Sequence, residues 1–96
     1  MKFSDLQFTQ PTVELGSRQA IIDLPEGFRL SIVQGPLTYG GEEGLWEIGL
    51  IQPNGNLAFV HQWHDQVKGF LTEAQVEAQF MLLTEVLQSD PTKLIE

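Results

Sequence analysis

The chain has 96 residues, 42% of them hydrophobic and 19% charged, a composition that folds into one domain with one modest core and is unlike that of disordered chains. Its formal net charge of −8 is shared equally between the two halves; Lys2, Arg18, Arg29, Lys68 and Lys93 form no basic stripe, so direct binding to a nucleic-acid backbone is not expected. The absence of cysteine excludes disulfides, thiolate metal sites and cysteine nucleophiles, and no apolar run approaches the ~18 residues of a membrane helix.

The opening Met1-Lys2-Phe3-Ser4-Asp5 has no signal-peptide pattern, and the expectation is a cytoplasmic protein. Phe3, Leu6 and Phe8 fit neither the helical nor the strand period. Short strands are predicted at 13–15 and 20–24, around a turn at Gly16-Ser17. Pro25-Glu26-Gly27 is a turn signal, since proline presets its φ and glycine accepts positive φ. Phe28 to Val33 then alternates apolar with polar as a half-buried strand does. Residues 35–44 (GPLTYGGEEG) read as a flexible glycine-rich connection.

Strands at 45–52 and 57–63 follow, joined by Pro53-Asn54-Gly55-Asn56, the clearest hairpin signal in the chain. A four-residue loop sets Gln52 against Leu57 and Trp46 against Trp63, gathering Trp46, Ile48, Leu50, Phe59 and Trp63 on one face. A three-residue loop with a glycine bulge would oppose Glu47 to His61 instead. The first register sorts apolar from polar better and is preferred. It leaves Leu45, Ile51, Ala58, Val60 and Val33 on the second face.

The helix is the best-marked element. Thr72 is a natural N-cap, Gln75 completes a capping box, and Leu71 and Val76 stand where a hydrophobic staple belongs. Val76, Phe80, Leu83 and Leu87 recur at helical spacing, and Ser89-Asp90-Pro91 ends the run. The fold class is therefore α+β: an antiparallel meander of four or five strands, packed on one face by a C-terminal helix over about 72–88, in a single domain spanning 1–96.

No residue set forms a recognisable active site, and no enzymatic activity or cofactor is expected. Serines 4, 17, 31 and 89 lack a nucleophile-elbow context. His61, His64 and Asp65 are the one metal-like cluster and carry the alternative of a metal-dependent hydrolase, but on a strand the two histidines point to opposite faces. Gly40-Gly41-Glu42-Glu43-Gly44 does not suit phosphate, because it carries two carboxylates and leads into a strand. The acidity also permits a nucleic-acid mimic that blocks a DNA- or RNA-binding enzyme, although the carboxylates are scattered. The candidate partner-binding residues are Tyr39, Glu42, Glu43, Trp46 and Trp63. Tyrosine and tryptophan dominate interface hot spots, but large aromatics are more often buried, so the tryptophans are better suited to the core under the helix and Tyr39 is the better exposed anchor. One helix cannot cover both faces of the sheet, so either the N-terminal segment folds over the other face or a protein partner covers it, homodimerisation through the sheet being the simplest arrangement.

The stretch from Tyr39 to Ile48 (YGGEEGLWEI) resembles a segment of short uncharacterised phage and prophage proteins, in which a YGG-type loop precedes a GLWE-type strand, a hairpin and a helix. Leu71 to Val76 (LTEAQV) is similar to the start of that helix. The resemblance spans roughly residues 30–87. It implies a phage or prophage origin and an accessory role, with no established activity to carry over.

Overall fold

The computed structural model describes residues 1–9 and 16–95. The predicted strand at 13–15 lies outside them. The described residues form a four-stranded antiparallel sheet with the sequential order β1-β2-β3-β4 and one C-terminal helix. The strands are β1 (Arg18–Asp23), β2 (Arg29–Gln34), β3 (Trp46–Ile51) and β4 (Val67–Leu71), and the helix is α1 (Glu73–Ser89). The α+β class, the meander and the C-terminal helix packed on the sheet are those expected from the sequence.

β1 and β2 pair from Arg18↔Gln34 to Asp23↔Arg29. Between them, Pro25–Gly27 makes a tight turn with Glu26 and Gly27 at φ 63° and 80°, closed by the Leu24 N–H donating to the Phe28 carbonyl at 2.8 Å. β2 and β3 pair from Arg29↔Ile51 to Val33↔Glu47. Because side chains alternate along a strand, this register puts Ala20, Leu30, Ile32, Trp46, Ile48 and Leu50 on one face, all buried.

α1 lies on that face. The Gln75 N–H donates to Thr72 Oγ1 at 3.2 Å and the Thr72 N–H to Gln75 Oε1 at 2.8 Å, a complete capping box that satisfies donors left over in the first turn. Val76, Leu83 and Leu87 are its buried side, with Phe80 and Val86 packed at the margin. Its 17 residues span about 25 Å, enough to cross a small sheet. The first nine residues cover the same side: Phe3 and Phe8 stack on Trp46 with ring centroids 4.8 and 4.9 Å away, and the Phe3 N–H donates to Glu77 of the helix. The Arg18 guanidinium caps this stack, 4.8 Å from the Trp46 ring.

The strand expected at 57–63 is not there. The hairpin takes the three-residue register: Ile51 bridges Leu57, the Gln52 N–H donates to the Asn56 carbonyl at 2.8 Å, and the Ala58 N–H to the Leu50 carbonyl at 2.8 Å. The preferred four-residue register is thereby overturned. The chain then leaves the sheet, drops Ala58 and Val60 into the core and turns through 61–64, where the His64 N–H reaches the Val60 carbonyl at 3.0 Å. Ala58 and Val60 are 2% and 0% exposed and so do not lie on the open face, whereas Phe59 is 43% exposed. The place beside β3 goes to β4, which alternation did not mark because Val67-Lys68-Gly69-Phe70-Leu71 has a glycine and a bulge within it. Its pairing of Trp46 with Leu71 brings the helix cap to the sheet edge.

The opposite face carries Ile21, Ser31, Gly49 and Val67 in one row, with Val33 and Ile51 beside them. Leu57 reaches back over it: a Cβ on Gly49 would lie 3.0 Å from Leu57 Cδ2, so the glycine makes room for that side chain. Ile21 and Leu57 remain 46% and 40% exposed. No helix of the described residues is long and apolar enough to cross a membrane.

Candidate functional site

The connection from β2 to β3 was expected to be a flexible loop; instead it is extensively hydrogen-bonded. Thr38 closes its first turn: its N–H and hydroxyl both donate to the Gly35 carbonyl, at 3.2 and 2.9 Å, and its Oγ1 accepts the Gly35 N–H at 2.9 Å. The Gly41 N–H donates to the Thr38 carbonyl at 3.1 Å, and Gly41–Glu43 forms a short 3₁₀ turn closed by Leu45 N–H on the Gly40 carbonyl at 2.9 Å. Gly41 is needed for its lack of a side chain, since a Cβ there would sit 1.8 Å from the Gly35 carbonyl oxygen.

The loop is also tied to the sheet on both sides of Tyr39. The Tyr39 N–H donates to Glu47 Oε1 of β3 at 3.0 Å, and the Tyr39 carbonyl accepts the Phe70 N–H of β4 at 3.1 Å. The approach is close enough that a Cβ on Gly69 would lie 2.3 Å from Tyr39 Cβ. The β3–β4 register slips at this point: Trp46 faces Leu71 and Ile48 faces Lys68, so Gly69 and Phe70 together oppose Glu47. Such a bulge bends the strand and redirects a side chain. Here it puts Phe70 at φ 59°, a left-handed conformation that costs a bulky residue roughly 1–2 kcal/mol.

The strained backbone presents Phe70 to solvent. Phe70 is 56% exposed, Tyr39 60% and Leu37 85%. With Pro36, Thr38, Gly40, Glu42 and Glu43 they line an open depression of about 410 Å³. Both glutamates are exposed, and among the described residues neither carboxylate is hydrogen-bonded or ion-paired within the chain. Strained residues held by their surroundings gather at ligand clamps and active sites, and exposed apolar groups on a braced scaffold suit binding. Chemically, the arrangement offers apolar and aromatic contact with negative charge at the rim.

The structure brings together Tyr39, Glu42 and Glu43 from the sequence-derived candidates and separates the other two. Trp46 is 3% exposed, a core residue enclosed by Phe3, Phe8 and Arg18. Trp63 is half-buried against the core, its Nε1–H donating to Gln79 Oε1 of the helix at 3.0 Å. Phe70 and Leu37 were missed. Leu37, an apolar residue beside a proline in a glycine-rich loop, could have been noticed, whereas the exposure of Phe70 depends on a bulge that no local pattern announces. His61, His64 and Asp65 lie on the turn after Val60 rather than on a strand. All three are exposed, Asp65 Oδ1 accepts the Gln66 N–H at 2.7 Å, and among the described residues no group of three such side chains is placed to hold a metal ion.

Comparison of the chain with protein-family models, with curated proteins and with solved structures gives no match in any of the three.

Proposed function

We propose that this protein is a small, non-catalytic binding protein that works through protein–protein contacts centred on Leu37, Tyr39 and Phe70. The observation that carries the proposal is Phe70: a bulky aromatic, 56% exposed, held at a left-handed φ of 59° beside Tyr39 by reciprocal attachment of loop and bulge. A side chain kept out of the core at an energetic cost is accounted for when something outside the chain covers it. The resemblance of residues 39–48 and 71–76 to segments of phage and prophage proteins fits an accessory role of this kind.

Affinity capture with the intact protein and with a Tyr39→Ala/Phe70→Ala double variant tests the proposal. Both side chains are more than half exposed, so the variant keeps its fold, and partners recovered by the parent are expected to be lost. Recovery of the same partners by a folded double variant refutes it.

The open face of the sheet supports a second contact surface, for a copy of the same chain, because Ile21 and Leu57 stay 46% and 40% exposed amid Val33, Ile51 and Val67. Light scattering on the pure protein is expected to give a dimer mass that Ile21→Lys returns to monomer. A monomer at all concentrations refutes self-association.

A further inference from the structure

Resting on the Leu37–Tyr39–Phe70 surface proposed above, we infer that the depression takes a cationic side chain on an apolar stem, a lysine or arginine in a short basic segment of the partner. Three features of the depression converge on this chemistry. Its walls are apolar and aromatic: Leu37, Tyr39 and Phe70. Its charged lining side chains, among the described residues, are Glu42 and Glu43 alone, and no basic group lines it. Its volume of about 410 Å³ lies near the low end of small-ligand pockets, roughly 300–1,000 Å³, and suits one or two side chains rather than a large cofactor.

The physical logic has two parts. An ammonium or guanidinium group gains from the negative face of an aromatic ring, while its methylene stem covers the apolar wall. The two carboxylates, which have no intramolecular partner among the described residues, stand at the exposed rim. There they attract a cation during approach and meet it in the bound state. The overall charge of −8 adds a long-range field of the same sign. An anionic ligand meets the opposite on every count, and a neutral apolar ligand leaves the two glutamates unused.

The test uses the ¹⁵N-labelled full chain and two capped hexapeptides, one alternating lysine with leucine and its twin carrying glutamine in place of lysine. The lysine peptide is expected to shift the amide resonances of Tyr39, Gly40, Glu42, Glu43 and Phe70. Affinity should fall about tenfold for the glutamine twin and about tenfold for a Glu42→Gln/Glu43→Gln variant, and should weaken further as salt is raised. Equal shifts from the glutamine twin overturn the cation inference and leave the contact surface standing. Shifts elsewhere, or from neither peptide, overturn both.

Discussion

Replacing Gly41 with alanine sets local propensity against tertiary packing, and the two demand opposite signs. By local rules, glycine to alanine at an unstrained position stabilises by about 0.4–1 kcal/mol, because alanine has fewer unfolded conformations to lose. The structure predicts the reverse. The added methyl would lie 1.8 Å from the Gly35 carbonyl oxygen and 2.5 Å from Thr38 Oγ1, where an ordinary carbon–oxygen contact needs about 3.3 Å. The clash includes backbone, so side-chain rotation cannot relieve it. The loop must open by more than an ångström, and the bonds at risk are the three between Gly35 and Thr38 and the one from the Gly41 N–H to the Thr38 carbonyl. At about 0.5–1.5 kcal/mol each, losing most of them costs about 2–4 kcal/mol, a large share of a domain stability of about 5–15 kcal/mol. Urea unfolding followed by tryptophan fluorescence measures the difference, and Gly55→Ala supplies the control. At Gly55 the space is open and φ is 90°, so only the left-handed backbone cost of about 1–2 kcal/mol applies. A Gly41→Ala protein as stable as the parent would show that the loop is not latched as described.

Val60→Lys is expected to abolish cooperative folding in a thermal scan, since Val60 is fully buried and an unpaired buried ammonium costs several kcal/mol; near-parent stability would return residues 57–63 to the sheet surface. Thr72→Ala breaks the capping box and should lower stability by about 0.5–2 kcal/mol in chemical denaturation, with no change indicating that the cap is redundant. The Asp90 carboxyl is held below its ordinary value of 3.8 by hydrogen bonds from the Thr92 hydroxyl and N–H, with Lys93 adding a smaller attraction. A lowered folded-state pKa means that the unfolded chain binds the proton more readily, so the contribution is present above pH 3.8 and is lost as pH falls below it. Acid titration of stability should therefore fall less steeply for Asp90→Asn, and identical acid profiles would remove this contribution.

What the sequence alone determined is local. The Thr72–Gln75 capping box, the Leu71–Val76 staple and the apolar stripe specify α1 because every signal lies within a few residues of the next. The turn at Pro25–Gly27, the alternation of 28–33 and the bend at 53–56 were legible for the same reason, and with the helix they settled the α+β class. Which segment pairs with β3 was a competition between distant stretches. Residues 57–63 have the better strand composition, but Ala58 and Val60 are buried in the core, and Val67–Leu71 takes the edge despite Gly69. The candidate site is likewise tertiary. Gly41 and Gly69 matter because of Gly35 and Tyr39, and Phe70 faces solvent because two residues of β4 oppose Glu47, a mismatch that arises only once the strands are side by side.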